Sequence, residues 1–347
     1  MIKSLHLENL TVFPQADLEI GKNLNIVIGE NGLGKSHLLK VLYTVVSVSA
    51  TAEKESGSPT PTKSFLQGAM ARKLREVFKP DTLGRLARRK SGRTKCVVSC
   101  AFDTPAWDLA FSFNNASKAE VAIDLLPTAW VDKLPVFLPT RELMSIYPGF
   151  VSLYEINRLP IEETWRDTCI LLGAPLAKGA REKKIEKLIE PLEAAMGGSI
   201  ELDGERFYLK SSQGRIEMNL VAEGLRKLAM LARLIATGAL VDEGTLFWDE
   251  PEANLNPKLI RGVAHTILEL CAQGVQIFLA THSLFLLREL EMLLADRTRA
   301  VEARFFGLQR SDEGVSVQQG PAMEDMGPIA VLDEELEQSD RFLAQGD

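Results

Sequence analysis

Gly29-Glu30-Asn31-Gly32-Leu33-Gly34-Lys35-Ser36 has the form G-x-x-x-x-G-K-[ST]. It follows a short β-rich run, Leu24-Asn25-Ile26-Val27-Ile28, and precedes an apolar stretch that reads as a helix from about Lys35 to Val48. This strand–loop–helix setting is the one in which such a loop cradles phosphates. Backbone N–H groups of the loop and of the helix N-terminus point at the anion, and glycines let the backbone approach it without Cβ clashes. Lys35 then reaches the β- and γ-phosphates of ATP, and Ser36 holds Mg²⁺. Glu30, Asn31, Leu33 and His37 complete the candidate contact set with Gly29, Gly32 and Gly34. A plain strand–helix turn does not account for the Lys-Ser pair.

Working outward, Leu246-Phe247-Trp248-Asp249-Glu250-Pro251 is an apolar strand that delivers two adjacent carboxylates to its C-terminal end, where open α/β sheets bind ligands. Asp249 is the candidate Mg²⁺ ligand. Glu250 is the candidate general base that orients and deprotonates the attacking water. A third strand ends at Leu279-Ala280-Thr281-His282-Ser283, and His282 lies 33 residues past Asp249, one helix and one strand later. That spacing places His282 beside the acidic pair, within reach of a γ-phosphate.

The remaining chain is compatible with an α/β domain. Glu223 to Ala236 and Pro257 to Ala272 read as helices, Gly244 to Trp248 and Val275 to Ala280 as buried strands, and Ala303 to Leu308 as a further strand. The alternation predicts a mainly parallel sheet flanked by helices. Lys95 to Phe102, Leu109 to Phe113 and Val136 to Leu138 also read as strands. Residues 155 to 197 read as helical, followed by a hairpin of Ser199 to Leu202 and Arg206 to Lys210. This divides the chain into an ATPase core of residues 1–154 and 220–347, carrying a basic insertion at about 50–95, and a helical lid or arm at 155–219. The stretch from about residue 49 to 64 (ATAEKESGSPTPTKS from Ala50) reads as a loop or linker. Sustained heptads are absent, which excludes a long coiled coil.

Composition narrows the function classes. The 347 residues are 46% hydrophobic, enough for a sizeable core, and no apolar run is long enough for a membrane helix. No signal-peptide block opens the chain, so a cytoplasmic protein without a membrane partner is expected. Cys96, Cys100, Cys169 and Cys271 form no C-x-x-C pair. The net charge is −7, but residues 72–95 carry ten basic residues against Glu76 and Asp81, a local balance of +8. That segment either contacts nucleic-acid phosphates or forms a solvated face that docks an acidic partner. It lacks the interleaved aromatics of a base-stacking surface, since Phe78 stands alone.

Together these motifs resemble the prokaryotic ATPase heads grouped with SMC, RecF and OLD-type proteins, within the wider AAA-family ATPases. The opening with Asn9, Phe13 and GENGLGKS, the DEPEANLNP stretch and the THS triplet carry the likeness, and they bracket the chain from Met1 to about Leu308. The resemblance implies a P-loop NTPase fold of the ABC-ATPase-head type. It makes Glu250 the catalytic carboxylate, His282 the γ-phosphate sensor, and Ala253-Asn254-Leu255-Asn256 a D-loop. It also places Gly224, in Ala222-Glu223-Gly224-Leu225-Arg226-Lys227, at a helix start that caps the γ-phosphate of a partner subunit in an ATP-sandwiched homodimer or larger homo-oligomer. Ala222 stands where the family carries a serine. Glu142, after the VFLPTR strand, is the candidate for the family's Q-loop position. The first functional reading is a slow, regulatory Mg-ATPase of a phage-defence complex that controls a separately encoded effector. The second is a RecF- or SMC-like DNA repair or maintenance ATPase. A transporter ATPase fits less well, because its signature would be a fuller Ser-Gly-Gly-Gln.

Overall fold

The computed structural model describes residues 1–89, 92–157, 159–179, 182–296 and 300–344, the side chains at 330–333, 335, 336 and 339 excepted. Strands β1 (Ile2–Leu10), β2 (Phe13–Glu19) and β3 (Leu24–Ile28) lead into helix α1 (Lys35–Ser56), followed by α2 (Lys63–Phe78). Next come β4 (Lys95–Phe102), β5 (Leu109–Asn114), β6 (Ala122–Leu125) and β7 (Val136–Leu138). Helices α3 (Phe150–Asn157), α4 (Glu163–Gly173) and α5 (Glu182–Met196) precede a meander of β8 (Ser199–Asp203), β9 (Arg206–Ser211) and β10 (Gly214–Glu217). The last third is α6 (Glu223–Ala236), β11 (Gly244–Asp249), α7 (Pro257–Ala272), β12 (Val275–Thr281), α8 (Leu284–Leu294), β13 (Ala303–Ser311), β14 (Gly314–Gly320) and α9 (Ala330–Ala344).

The central sheet has the order β14-β13-β3-β12-β11-β7. Its strands from β13 to β7 are parallel and β14 returns antiparallel at the edge. Strand β12 is buried at all seven positions, as a parallel strand covered on both faces should be. Its side chains alternate between two cores. Ile277 and Leu279 join Ile26, Leu246 and Trp248 against the layer of helices α4 to α8. Phe278 and Ala280 join Val27, Phe137 and Phe247 against α1 and a second sheet. Phe247 and Phe278 stack with centroids 5.0 Å apart, and Tyr43 of α1 meets Phe247 edge-on at 6.1 Å.

The second sheet, β2-β1-β4-β5-β6, is antiparallel and was not foreseen as a separate layer. Gln276 of β12 ties it to the first. Fully buried, Gln276 donates to the Ile2 and Gly21 carbonyls at 2.8 and 2.9 Å and accepts from Ile2 N at 2.9 Å. Both N–H donors and the carbonyl oxygen of this buried amide are thus paired, which is what makes its burial tolerable.

One expectation needs correcting. The linker predicted for residues 49–64 is mostly helix: α1 continues to Ser56, and α2 begins at Lys63. Ala52 is fully buried, and the alanines, glutamates and lysine of this stretch are good helix formers, so composition alone misled. Helix α1 stops at Gly57, whose φ of 65° is the left-handed cap that glycine supplies. At 22 residues α1 is the longest helix among the described residues, and none is a long coiled coil. No described helix is long and apolar enough to cross a membrane.

Candidate nucleotide site

Strands β3, β12 and β11 lie side by side, with Thr281 opposite Ile28 and Asp249 opposite Ala280. This register sets the ends of the three strands in one row, so Gly29, His282 and Glu250 leave the sheet at the same edge. The loop after β3 turns into α1 at Gly34, with φ 89°. A Cβ on Gly34 would come within 2.7 Å of Val12 Cγ2 and 2.9 Å of Phe13 Cε2, so both backbone conformation and space require glycine there. Glu30, Asn31 and Gly32 are exposed on the loop, while Leu33 is buried beneath it.

Lys35 is only 5% exposed, and its ammonium folds back over the loop to donate to the Gly29 and Glu30 carbonyls at 2.7 and 3.1 Å. Burial lowers its pKa, and the charges of Glu250, Asp249, Glu252 and Glu30 oppose that. A desolvated cation beside a loop of this form suits a phosphate. The His37 side chain lies elsewhere. Its Nδ1 is 3.0 Å from Thr11 Oγ1, its ring packs 5.6 Å from that of Phe78, and burial lowers its pKa to about 4, keeping it neutral.

Asp249 accepts a hydrogen bond from the Ser36 hydroxyl. Burial nevertheless holds its carboxyl above the usual carboxylate range, with Glu250 adding to the rise and Ser36, Lys40 and Lys35 opposing it. Paired oxygens from Ser36 and the half-buried Asp249 carboxylate suit Mg²⁺, a hard ion that takes one or two protein ligands and completes its shell with phosphates and water. Among the described residues no set of three His, Cys, Asp or Glu could hold a metal without such help. When bound, Mg²⁺ would neutralise charge on the β- and γ-phosphates.

Glu250 sits at φ 49°, in the left-handed region that costs a non-glycine residue roughly 1–3 kcal/mol. Its N–H donates to the Ala280 carbonyl at 2.8 Å, and its Oε1 lies 3.4 Å from His282 Nδ1. Two neighbours escaped the sequence reading. Glu252 is 9% exposed, accepts from Thr281 Oγ1 at 2.6 Å and lies 4.0 Å from His282 Nδ1. Lys227, 2% exposed on α6, donates to the Glu250 carbonyl at 2.6 Å. The acidic residue two places after Glu250 was a visible signal for the first. Nothing local pointed to the second.

The remaining candidates are spread around this centre. Asn254, at φ 63°, donates to Glu223 Oε1 at 2.9 Å. Gly224 is buried rather than open at the helix start, and a Cβ there would lie 2.8 Å from the Asn254 carbonyl oxygen. The exposed residues at the start of α6 are Ala222 and Glu223. Glu142 follows β7 but spends its carboxylate on Arg226 Nε at 2.8 Å and on Ser145, rather than on the phosphate loop. In the basic segment Arg72, Lys73, Lys79, Arg85 and Lys95 pair with acidic side chains of the same chain. Lys90 lies outside the described residues.

Such a phosphate loop, acidic strand end and following histidine on a parallel sheet make the arrangement of a P-loop NTPase fold. A family model described as "AAA domain, putative AbiEii toxin, Type IV TA system" matches residues 129–288, which hold β7, α6, Asp249, Glu250 and His282. No curated protein matches the chain. The SMC head domain from Thermotoga maritima superposes with a TM-score of 0.52 at 13% identity, covering 92% of this chain and 98% of that one. An SMC head bound to the C-terminal winged-helix domain of ScpA gives 0.54 at 12% identity, covering 94% and 99%. An SMC head with an extended coiled coil, bound to the C-terminal domain of ScpA derived from Pyrococcus furiosus, gives 0.53 at 9%, covering 99% and 98%. The chain has the α/β fold of an SMC head domain.

Proposed function

We propose that the chain binds Mg-ATP through residues 29–36 and Asp249, hydrolyses it slowly, and uses the cycle as a switch that controls a separately encoded effector. The observation that carries the reading is the convergence of Lys35, Ser36, Asp249, Glu250 and His282 at the ends of three adjacent parallel strands. Lys35 receives the phosphates and Ser36 and Asp249 hold Mg²⁺. Glu250 takes the proton of the attacking water. His282, facing Glu250, senses the γ-phosphate. In this reading residues 155–219 act as a lid on the core, and the cytoplasm is the working compartment. The family description naming a toxin of a toxin–antitoxin system supports a role in phage defence.

The purified chain is expected to release phosphate from ATP in the presence of Mg²⁺ and to stop when EDTA removes the metal. Turnover unaffected by EDTA would remove Ser36 and Asp249 from the chemistry. The DNA-maintenance reading loses ground because much of the basic segment is neutralised within the chain, Lys73 by both Glu163 and Asp167.

ATP is further expected to join two heads, each capping the other's γ-phosphate with the start of α6. A helix N-terminus is suited to an anion. The residue to probe is Ala222, which is exposed, and not Gly224, where any side chain strikes the Asn254 backbone of its own chain. In a Glu250→Gln background, light scattering should show a dimer with ATP, and Ala222→Arg should keep it monomeric while nucleotide affinity stays unchanged. An ATP-dependent dimer that survives Ala222→Arg would place the interface elsewhere.

A further inference from the structure

The loop after β11 turns back on itself with two non-glycine residues in the left-handed region, Glu250 at φ 49° and Asn254 at φ 63°. Such conformations persist only where the surroundings hold them. The Glu250 carboxylate lies 3.4 Å from His282 Nδ1, and the course of the backbone at residue 250 decides where it points. On one side that backbone is held by the β-sheet, through Glu250 N and the Ala280 carbonyl. On the other side its carbonyl accepts from the Ala253 N–H at 3.1 Å and from one buried ammonium: Lys227 Nζ donates to the Glu250 carbonyl at 2.6 Å and to the Ala253 carbonyl at 3.3 Å.

Burying a lysine is costly unless its hydrogen bonds and charge are met. Burial lowers the Lys227 pKa to about 8, against the pull of Glu252, Glu250, Asp249 and Glu223. Its ammonium ties the two carbonyls of the Glu250–Ala253 turn to α6, a link that no neutral aliphatic side chain could make. A second tie runs parallel to it, from Asn254 Nδ2 to Glu223 Oε1 at 2.9 Å. Both begin on α6, whose exposed first residues face outward.

The geometry points to Lys227 as the positioning residue of the hydrolytic carboxylate, clamping the Glu250–Ala253 turn to α6 so that the general base moves with that helix. The inference rests on Glu250 being the general base. Its consequence is that contact made by a second copy at the start of α6 is passed within the same chain to the base. Lys227 acts through the backbone of Glu250.

The test uses Lys227→Met, which keeps most of the buried stem and removes the donor, and Lys227→Arg, which keeps charge and donors. Kinetics are measured on the full chain, with ATP affinity and thermal melting recorded for each variant. Lys227→Met is expected to lower kcat about 100-fold, the cost of a small misplacement of a reacting group. KM and ATP affinity should stay within about twofold, since the ground state is untouched. Lys227→Arg should recover most of kcat. If Lys227→Met does not fold, Lys227→Gln, with a shorter neutral donor, takes its place and should lie between wild type and the expected loss. Unchanged kcat in the donor-free variant overturns the inference. So does an equal loss in the Met and Arg variants with folding intact, or a loss of ATP affinity that matches the loss of kcat. If Glu250→Gln itself turns over normally, it is the general-base reading that fails, whatever Lys227 does.

Discussion

Lys35→Ala is expected to leave a folded chain that no longer holds ATP. Two of the ammonium's hydrogen bonds close the phosphate loop on itself, at 2.7 and 3.1 Å, and an arriving triphosphate replaces those carbonyls as its acceptors. Hydrogen bonds to charged groups contribute about 1.5–3 kcal/mol each. Losing two of them corresponds to roughly 10²- to 10⁴-fold in affinity. The effect should lie toward the upper end, because Asp249 and Glu250 remain and repel the phosphates without the cation between them. Burial already lowers the pKa of Lys35, so an arriving anion also offsets the desolvation of the ammonium. Calorimetric titration with ATP in the presence of Mg²⁺ measures the change directly. Wild-type affinity in this variant would mean that the loop does not bind the triphosphate.

The parts of this site that were legible in the sequence are those in which one short segment carries both chemistry and geometry. The loop from Gly29 to Ser36 brings its own strand and helix, and the two later strands end in Asp249-Glu250 and His282 at a spacing that a parallel sheet converts into adjacency. The helices from Glu223 to Ala236 and from Pro257 to Ala272 were bounded correctly because each begins and ends at a change in pattern. What stayed hidden depends on distant segments meeting. The antiparallel sheet pairs β1 with β4 across some ninety positions, and no local period announces that partner. Lys227 reads as one more basic residue on an amphipathic helix until α6 packs beneath the loop after β11. The same packing buries Gly224, where a Cβ would meet the Asn254 carbonyl oxygen. Glu142 stands near the right strand, yet Arg226 and Ser145 hold it, and neither contact could be read from order along the chain.

Glu250→Gln is expected to keep ATP binding and to lose turnover by about 10²- to 10⁴-fold, the range that proton transfer by a positioned base contributes. The substitution preserves size and the backbone turn, so the Lys227 and Ala280 contacts to residue 250 remain, both being made through its main chain. It also leaves Lys35, Ser36 and Asp249 in place, and with them the groups that would hold the phosphates and Mg²⁺. What changes is confined to the terminal atoms. A glutamine amide still orients a water, but it cannot accept its proton. Glu252 is the nearest substitute, at 4.0 Å from the same His282 nitrogen, but it already accepts from Thr281 and is 9% exposed. It follows that a small residual rate in Glu250→Gln should fall further when Glu252→Gln is added, whereas Glu252→Gln alone should have the lesser effect. Single-turnover measurements with excess protein separate this loss from any change in product release. A Glu250→Gln variant that hydrolyses ATP at the wild-type rate, with Glu252→Gln the inactive one, would move the general base by two residues and leave the rest of the site as it stands.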